Sequence, residues 1–175
     1  MNPQFARNLA FERHLDQHDS SGNPLVEHVE RVAASVPPEA RTVAFLHDVL
    51  EHSATSLDEL EALGLAPPEL DAVRLLTRRP DESFELHALR IAHAKGPEGR
   101  LARTVKLADI ADHVAHDQLD GATRPYGWAR RHIAASQERS DPDQAREEPR
   151  TAIFASSRSA PKGLAGIVAA GDAPG

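Results

Sequence analysis

The stretch Ala44-Phe45-Leu46-His47-Asp48-Val49-Leu50-Glu51-His52-Ser53 sets an imidazole and a carboxylate side by side in an otherwise apolar run. Val43, Ala44, Leu46 and Leu50 recur at helical spacing, which predicts one helix through Glu51 with His47 and Glu51 sharing a face. Burying His47 and Asp48 among such neighbours costs on the order of several kcal/mol unless they are paired or bind a cation. The pair is therefore the place to look for chemistry.

Outward from it, nearly every segment up to Arg139 reads as helix. Asn23-Pro24 places a capping side chain and a first-turn proline before Leu25, Val29, Val32 and Val36, a stripe that must face a core, and His28 lies beside that stripe. Pro37-Pro38 stops this helix and starts the next. Ser56 with Glu59 three residues on is a capping box for a short helix ending at Gly64, and Pro67-Pro68 opens another through Leu76. Asp81 or Ser83 can cap a helix to Gly96. A longer one from about Glu98 to His116 carries Leu101, Val105, Ala108 and Asp109, and Pro125 opens a last amphipathic segment through Trp128 and Ile133. No run of alternating β-branched residues appears. The expected fold is all-α: one helical bundle over residues 1–139, followed by a low-complexity, disordered tail over residues 140–175 that is rich in Asp, Pro, Ser, Ala and Gly.

Composition narrows the chemistry. The chain has 175 residues, enough to bury one core without staples, and no cysteine, which excludes thiolate metal sites, disulfides and thiol nucleophiles. A net charge of -7 and an aromatic content of 4% disfavour an extended nucleic-acid surface. A small anionic substrate stays open, because one bound divalent cation inverts the local field of an acidic protein. No apolar stretch approaches the ~20 residues of a membrane span, and Met1 to Ala10 lacks a basic-then-apolar leader pattern, so the expected location is the cytoplasm. Oligomeric state is left open by amphipathic helices, which serve cores and interfaces alike.

If the helices bearing His28, His47-Asp48 and Asp109 pack together, two imidazoles and two carboxylates converge. Such a set suits Mn²⁺, Fe²⁺, Co²⁺ or Zn²⁺ in an open site better than a closed tetrahedral one. A cation there would lower the pKa of a water and polarise a phosphoryl oxygen, the two requirements for hydrolysing a phosphate ester at neutral pH. Glu51, one turn from His47, is placed to orient that water or protonate the leaving oxygen.

The order His28, His47-Asp48, Asp109 resembles the H…HD…D signature of the HD superfamily of metal-dependent phosphohydrolases. The chain is most similar to the hydrolase domain of the RelA/SpoT alarmone enzymes and their small stand-alone relatives. The resemblance rests on Gly22-Asn23-Pro24-Leu25-Val26-Glu27-His28, on Ala44 through Ser53, on Leu76-Thr77-Arg78-Arg79 and on Arg103-Thr104-Val105-Lys106-Leu107-Ala108-Asp109, spanning roughly Phe11 to His116. It implies an HD-type helical bundle, one divalent metal, usually Mn²⁺, on His28, His47, Asp48 and Asp109, and removal of a 3′-pyrophosphate from (p)ppGpp or a related nucleotide. It also makes Glu51-His52 the counterpart of a catalytic Glu-Asp pair. An imidazole at His52 can still shuttle a proton or meet a phosphate, but supplies no negative charge.

Two further positions depart from that pattern. Asp112-His113 replaces the Asn that follows the VKLAD stretch, and Gln17-His18-Asp19-Ser20-Ser21 stands where basic residues usually precede the first histidine. Those changes, with His52, keep open the alternative of an inactive HD-fold module that binds a nucleotide as a signal. Lys106 reads either as a phosphate contact near Asp109 or as a solvated charge. Arg78 and Arg79 read as phosphate contacts or as basic residues favoured by a helix C-terminus. His113 and His116 make a second metal site conceivable, though a single metal is the expectation. Tyr126 and Trp128 read as core anchors. His14, His87, His93 and His132 carry no assigned function.

Overall fold

Nine α-helices make up the computed structural model over the residues it describes, 1–19, 22–116 and 123–140. They are α1 (Pro3–His14), α2 (Leu25–Ala34), α3 (Arg41–Leu46), α4 (Val49–His52), α5 (Leu57–Ala62), α6 (Pro67–Leu76), α7 (Phe84–His93), α8 (Gly96–His116) and α9 (Thr123–Ser140), with a 3-10 turn at Pro38–Ala40. Among the described residues there is no strand, only an isolated bridge between His18 and Pro24. The all-α expectation holds. Of the tail expected over residues 140–175, Ser140 instead closes α9, and the remainder lies outside the described residues.

Local sequence explains most boundaries. Asn2 caps α1 by accepting from the Phe5 amide at 2.8 Å, and Ser83 does the same for α7 from Leu86 at 3.2 Å. Gly64, with φ of 83°, ends α5 in the left-handed conformation that a side chain disfavours. Three expectations are corrected. Asn23 does not cap α2: its backbone and side-chain nitrogens both bond Asp19, at 2.8 and 3.2 Å, and brace the loop before the helix instead. The capping box at Ser56 is half made. Ser56 Oγ accepts from the Glu59 amide at 3.1 Å, but the Glu59 carboxylate is drawn away to Arg13 on α1 at 2.8 Å. Finally, the helix read through Glu51 is two short helices, α3 and α4, broken at His47-Asp48.

That break has a physical sense. Asp48 sits at φ −101°, ψ −8°, in the sparsely populated bridge region where many active-site residues are found. Successive side chains of a regular helix diverge by about 100°. The chain departs from regular helix at the two adjacent side chains that converge on one point.

The bundle is organised around α8, which packs against α2, α3, α6, α7 and α9, while α1, α2 and α3 close the opposite side. Its interior is one cluster of buried apolar side chains, including Val29, Val32, Val43, Leu46, Leu60, Ile91, Val105, Ile110 and Ile133. Each of the larger ones contributes about 1.5–3 kcal/mol by leaving water. Tyr126 and Trp128 pack against this core, as expected, from α9. No helix among the described residues is long and apolar enough to cross a membrane.

Two polar side chains on α7 are tied to backbone carbonyls of the preceding segment. His87, on α7, is buried and donates from Nε2 to the Leu75 carbonyl at 3.0 Å, and Arg90 one turn on holds the carbonyls of Leu75 and Thr77 together with the Glu82 carboxylate. Burial, helped by the Lys106 charge, pushes the His87 imidazole down to about 4 from 6.5. Between those pH values the unfolded chain binds a proton at this position and the folded chain does not, so stability falls as pH drops through the window. His87→Gln removes the titrating ring but keeps a donor. Thermal unfolding from pH 7 to pH 4 is expected to show a loss of stability that is smaller in this variant by about 1–3 kcal/mol.

Candidate metal centre

Three helical segments deliver four donors to one point. His28 comes from the first turns of α2, His47 and Asp48 from the α3–α4 break, and Asp109 from the middle of α8. His28, His47 and Asp109 are each only 3% exposed, and Asp48 is partly buried. His28 Nε2 lies 3.3 Å from His47 Nε2, 3.7 Å from Asp48 Oδ2 and 3.4 Å from Asp109 Oδ1. His47 Nε2 lies 3.4 Å from Asp48 Oδ1 and 3.8 Å from Asp109 Oδ1. These are the four residues selected from the sequence, and the fold brings all four together.

The groups behind the donors set their protonation. His47 Nδ1 donates to the Ala44 carbonyl at 2.7 Å, and His28 Nδ1 donates to Asp112 Oδ2 at 2.8 Å. A neutral imidazole whose Nδ1 carries the proton presents a lone pair at Nε2. Two such lone pairs therefore face each other and two carboxylates in a buried space, an arrangement that is favourable only around positive charge. Left to protons, the cluster supplies that charge itself. Burial opposes the charged form of His47, but Asp48 and Asp109 overcome it and push the ring up to about 9. Burial likewise opposes ionisation of Asp109, and Lys106 with the surrounding imidazoles holds its carboxyl well below the usual range.

The donor set fits a divalent transition metal. At bond lengths of about 2.0–2.2 Å, neighbouring donors sit about 3 Å apart and opposite donors just over 4 Å apart; the separations here fall within that range. His28, His47 and Asp48 form one group able to hold an ion, and His28, Asp109 and His113 form another.

Support for the donors comes from Arg31, which sequence reasoning passed over, and from Asp112, which it read only as a departure from the family pattern. Asp112, three residues after Asp109, is gripped by Arg31, three residues after His28, through Nε–Oδ1 at 2.7 Å and Nη2–Oδ2 at 2.9 Å. Burial would raise the Asp112 carboxyl, but the bonds from Arg31 and His28 hold it below its ordinary value. The signal was present: three residues after the donors on α2 and α8, on the same face of each helix, stand Arg31 and Asp112, which are opposite in charge to each other. His113 also joins the cluster, with Nε2 at 3.1 Å from Asp109 Oδ1. His116 Nδ1 instead donates to the Asp112 carbonyl at 3.0 Å and lies 3.1 Å from Asp112 Oδ1.

The remaining candidates are spread around this centre. Lys106 is not a solvated charge: its ammonium lies 2.7 Å from Asp109 Oδ2 with the side chain 15% exposed, and that carboxylate raises its pKa against the pull of burial. Glu51 is exposed on α4 and accepts from the Arg78 amide at 2.6 Å. Arg78 and Arg79 line a cleft of about 620 Å³ with Leu50, Arg90 and Lys95, which shares no lining residue with the four donors. His52 lines a smaller one, about 410 Å³, with Gln17, His18, Asp19, Leu25 and His113. His113 belongs both to this smaller cleft and to the donor cluster, so the smaller cleft adjoins the centre. His14 is wholly buried behind it, with Nδ1 2.9 Å from Gln17 Oε1.

No family model and no curated protein matches the sequence. A solved structure described as a metazoan ortholog of SpoT, which hydrolyzes ppGpp and plays a role in starvation responses, is similar to this chain with a TM-score of 0.60. The two are 22% identical, and the match covers 81% of this chain and 88% of the other. The chain has the HD-type helical fold of that protein, the fold expected from the order of His28, His47-Asp48 and Asp109.

Proposed function

We propose that this protein is a metal-dependent phosphohydrolase of the HD superfamily, related to the RelA/SpoT hydrolases, that acts on a nucleotide phosphate or pyrophosphate ester. The observation that carries the reading is the convergence of four buried, electron-rich donors, His28 Nε2, His47 Nε2 and the Asp48 and Asp109 carboxylates, with both imidazole tautomers set from behind. The shared fold of a protein described as hydrolysing ppGpp supports the same class of reaction. These four residues hold one divalent cation, which when bound supplies Lewis acidity toward a phosphoryl oxygen and lowers the pKa of water. The catalytic unit is residues 1–139.

The chain's own groups do the rest. Lys106, already paired with Asp109 and partly open to solvent, places a fixed positive charge beside the centre, where it stabilises charge building on the phosphoryl group. Glu51 carries the proton, either orienting the attacking water or protonating the leaving oxygen, and the Arg78 amide fixes its carboxylate. Arg78 thus enters through its backbone amide, and the residue also lines the neighbouring cleft. His52, with His18 and Gln17, meets the substrate in the cleft that adjoins the centre. A guanosine 3′,5′-bispyrophosphate is the first substrate to test. The imidazole at His52 also favours the second reading, a module that binds such a nucleotide without turning it over.

Three outcomes test this. Release of phosphate or pyrophosphate from a nucleotide panel should require both an added divalent metal and Asp48: Asp48→Ala is expected to lose bound metal and turnover together, and retention of stoichiometric metal by that variant would sink the ligand set. Glu51→Gln should keep the metal yet lose at least about 100-fold in kcat, the usual worth of a positioned acid or base; wild-type kcat would remove Glu51 from the chemistry. Asp112→Asn weakens the grip on His28 and should lower metal affinity by roughly 10- to 100-fold while leaving helix content unchanged. Metal binding with no turnover on any nucleotide would favour the binding module.

A further inference from the structure

Asp109 and His113 are four residues apart on α8 and so share a face. His113 Nε2 lies 3.1 Å from Asp109 Oδ1, the same oxygen that faces His28 Nε2 at 3.4 Å and His47 Nε2 at 3.8 Å. Three imidazole nitrogens thus approach a single carboxylate oxygen. The donor atoms of His28, Asp109 and His113 all lie within 4.8 Å of one another, as do those of His28, His47 and Asp48, and the two groups share His28.

The His113 ring is also held in place. It stacks on Tyr126 with centroids 5.7 Å apart and planes 19° from parallel, and Tyr126 is fixed in turn by an edge contact with Phe84 at 5.2 Å. On its other side it lies against His28 at 4.7 Å. A donor gripped from two neighbouring helices is pre-organised in the way metal ligands require. The 3.1 Å from His113 Nε2 to Asp109 Oδ1 is close to the about 3 Å that separates neighbouring donors around a common ion.

We infer that His113 is a fifth protein ligand to the metal held by His28, His47, Asp48 and Asp109, giving a site of three imidazoles and two carboxylates. The inference rests on the proposed metal centre and adds a consequence to it. A third imidazole moves the donor set away from the oxygen-rich environment that suits Mn²⁺ and toward Fe²⁺, Co²⁺ or Zn²⁺. With its side chain 28% exposed, His113 stands where the smaller cleft meets the donors, so it also limits how many oxygens from water or substrate can reach the ion.

The test uses the full chain stripped of metal with a chelator and titrated calorimetrically with Co²⁺ and with Mn²⁺, alongside the visible spectrum of the Co²⁺ protein. Wild type is expected to prefer Co²⁺. His113→Ala should lose at least about tenfold in Co²⁺ affinity, lose less for Mn²⁺, and change the Co²⁺ spectrum. His113→Gln, which keeps a polar side chain of similar reach, should show the same narrowing of the Co²⁺ to Mn²⁺ ratio and carries the test if the alanine variant fails to fold. Equal losses for both metals with an unchanged spectrum, or wild-type affinity in either variant, would overturn the ligand role while leaving the four-residue centre standing. Absence of metal binding by the wild type would overturn both.

Discussion

Two imidazole nitrogens 3.3 Å apart, each facing carboxylates and each with its ring's other nitrogen already committed, are the constraint on which this fold turns. Such a grouping is repulsive in a buried setting unless positive charge is shared among its members. Protons, the Lys106 ammonium and a divalent cation are alternative sources of that charge. The high pKa of His47 and the low pKa of Asp109 are two faces of the same demand. A proton on His47 and a cation among the donors compete for the same lone pair, which couples metal affinity to pH in a site of this kind.

The surrounding architecture keeps that grouping from relaxing. If the donors sat on loops they would rotate away from one another, and the site would dissolve. Instead α2 and α8 hold His28 and Asp109 on helices that pack directly together, and Arg31 and Asp112 tie the same two helices one turn further along. The third source, the α3–α4 break, is flanked by Leu46 and Val49, both fully buried, so the irregular backbone at Asp48 is pinned by core packing on either side. Hydrophobic burial is what makes the electrostatic arrangement affordable.

Much of this architecture is legible in the sequence. Helix boundaries followed from punctuation that acts locally, such as Ser83, Gly64 and Pro67, and the four donors stood out because each is a polar residue in an apolar helical setting. What failed to show were features that depend on partners distant in the chain. Asn23 looked like a cap until Asp19 claimed it, and Glu59 looked like half of a capping box until Arg13 did. The break at His47-Asp48 was invisible because both residues tolerate helix and nothing in the local sequence forbids its continuation. Lys106 could not be assigned because its choice between solvent and Asp109 is made by the depth at which α8 is buried, a tertiary quantity. Asp112 and Arg31 became meaningful only when α2 and α8 were seen side by side.

The cleft adjoining the centre adds one more step. Its described lining, Gln17, His18, Asp19, Leu25, His52 and His113, contains neither lysine nor arginine. In a chain of net charge -7, attraction for a phosphorylated ligand cannot come from the long-range field. On the proposed reading it arises at short range, where Lys106 and the bound cation oppose the local carboxylates, and where low solvent exposure keeps screening weak. Favourable charge is then concentrated at the reacting phosphoryl group, while the imidazoles and amide along the approach can only hydrogen-bond what passes them. Binding energy of that distribution is realised where charge changes during the reaction, which is the condition for it to accelerate turnover instead of merely tightening the grip on substrate.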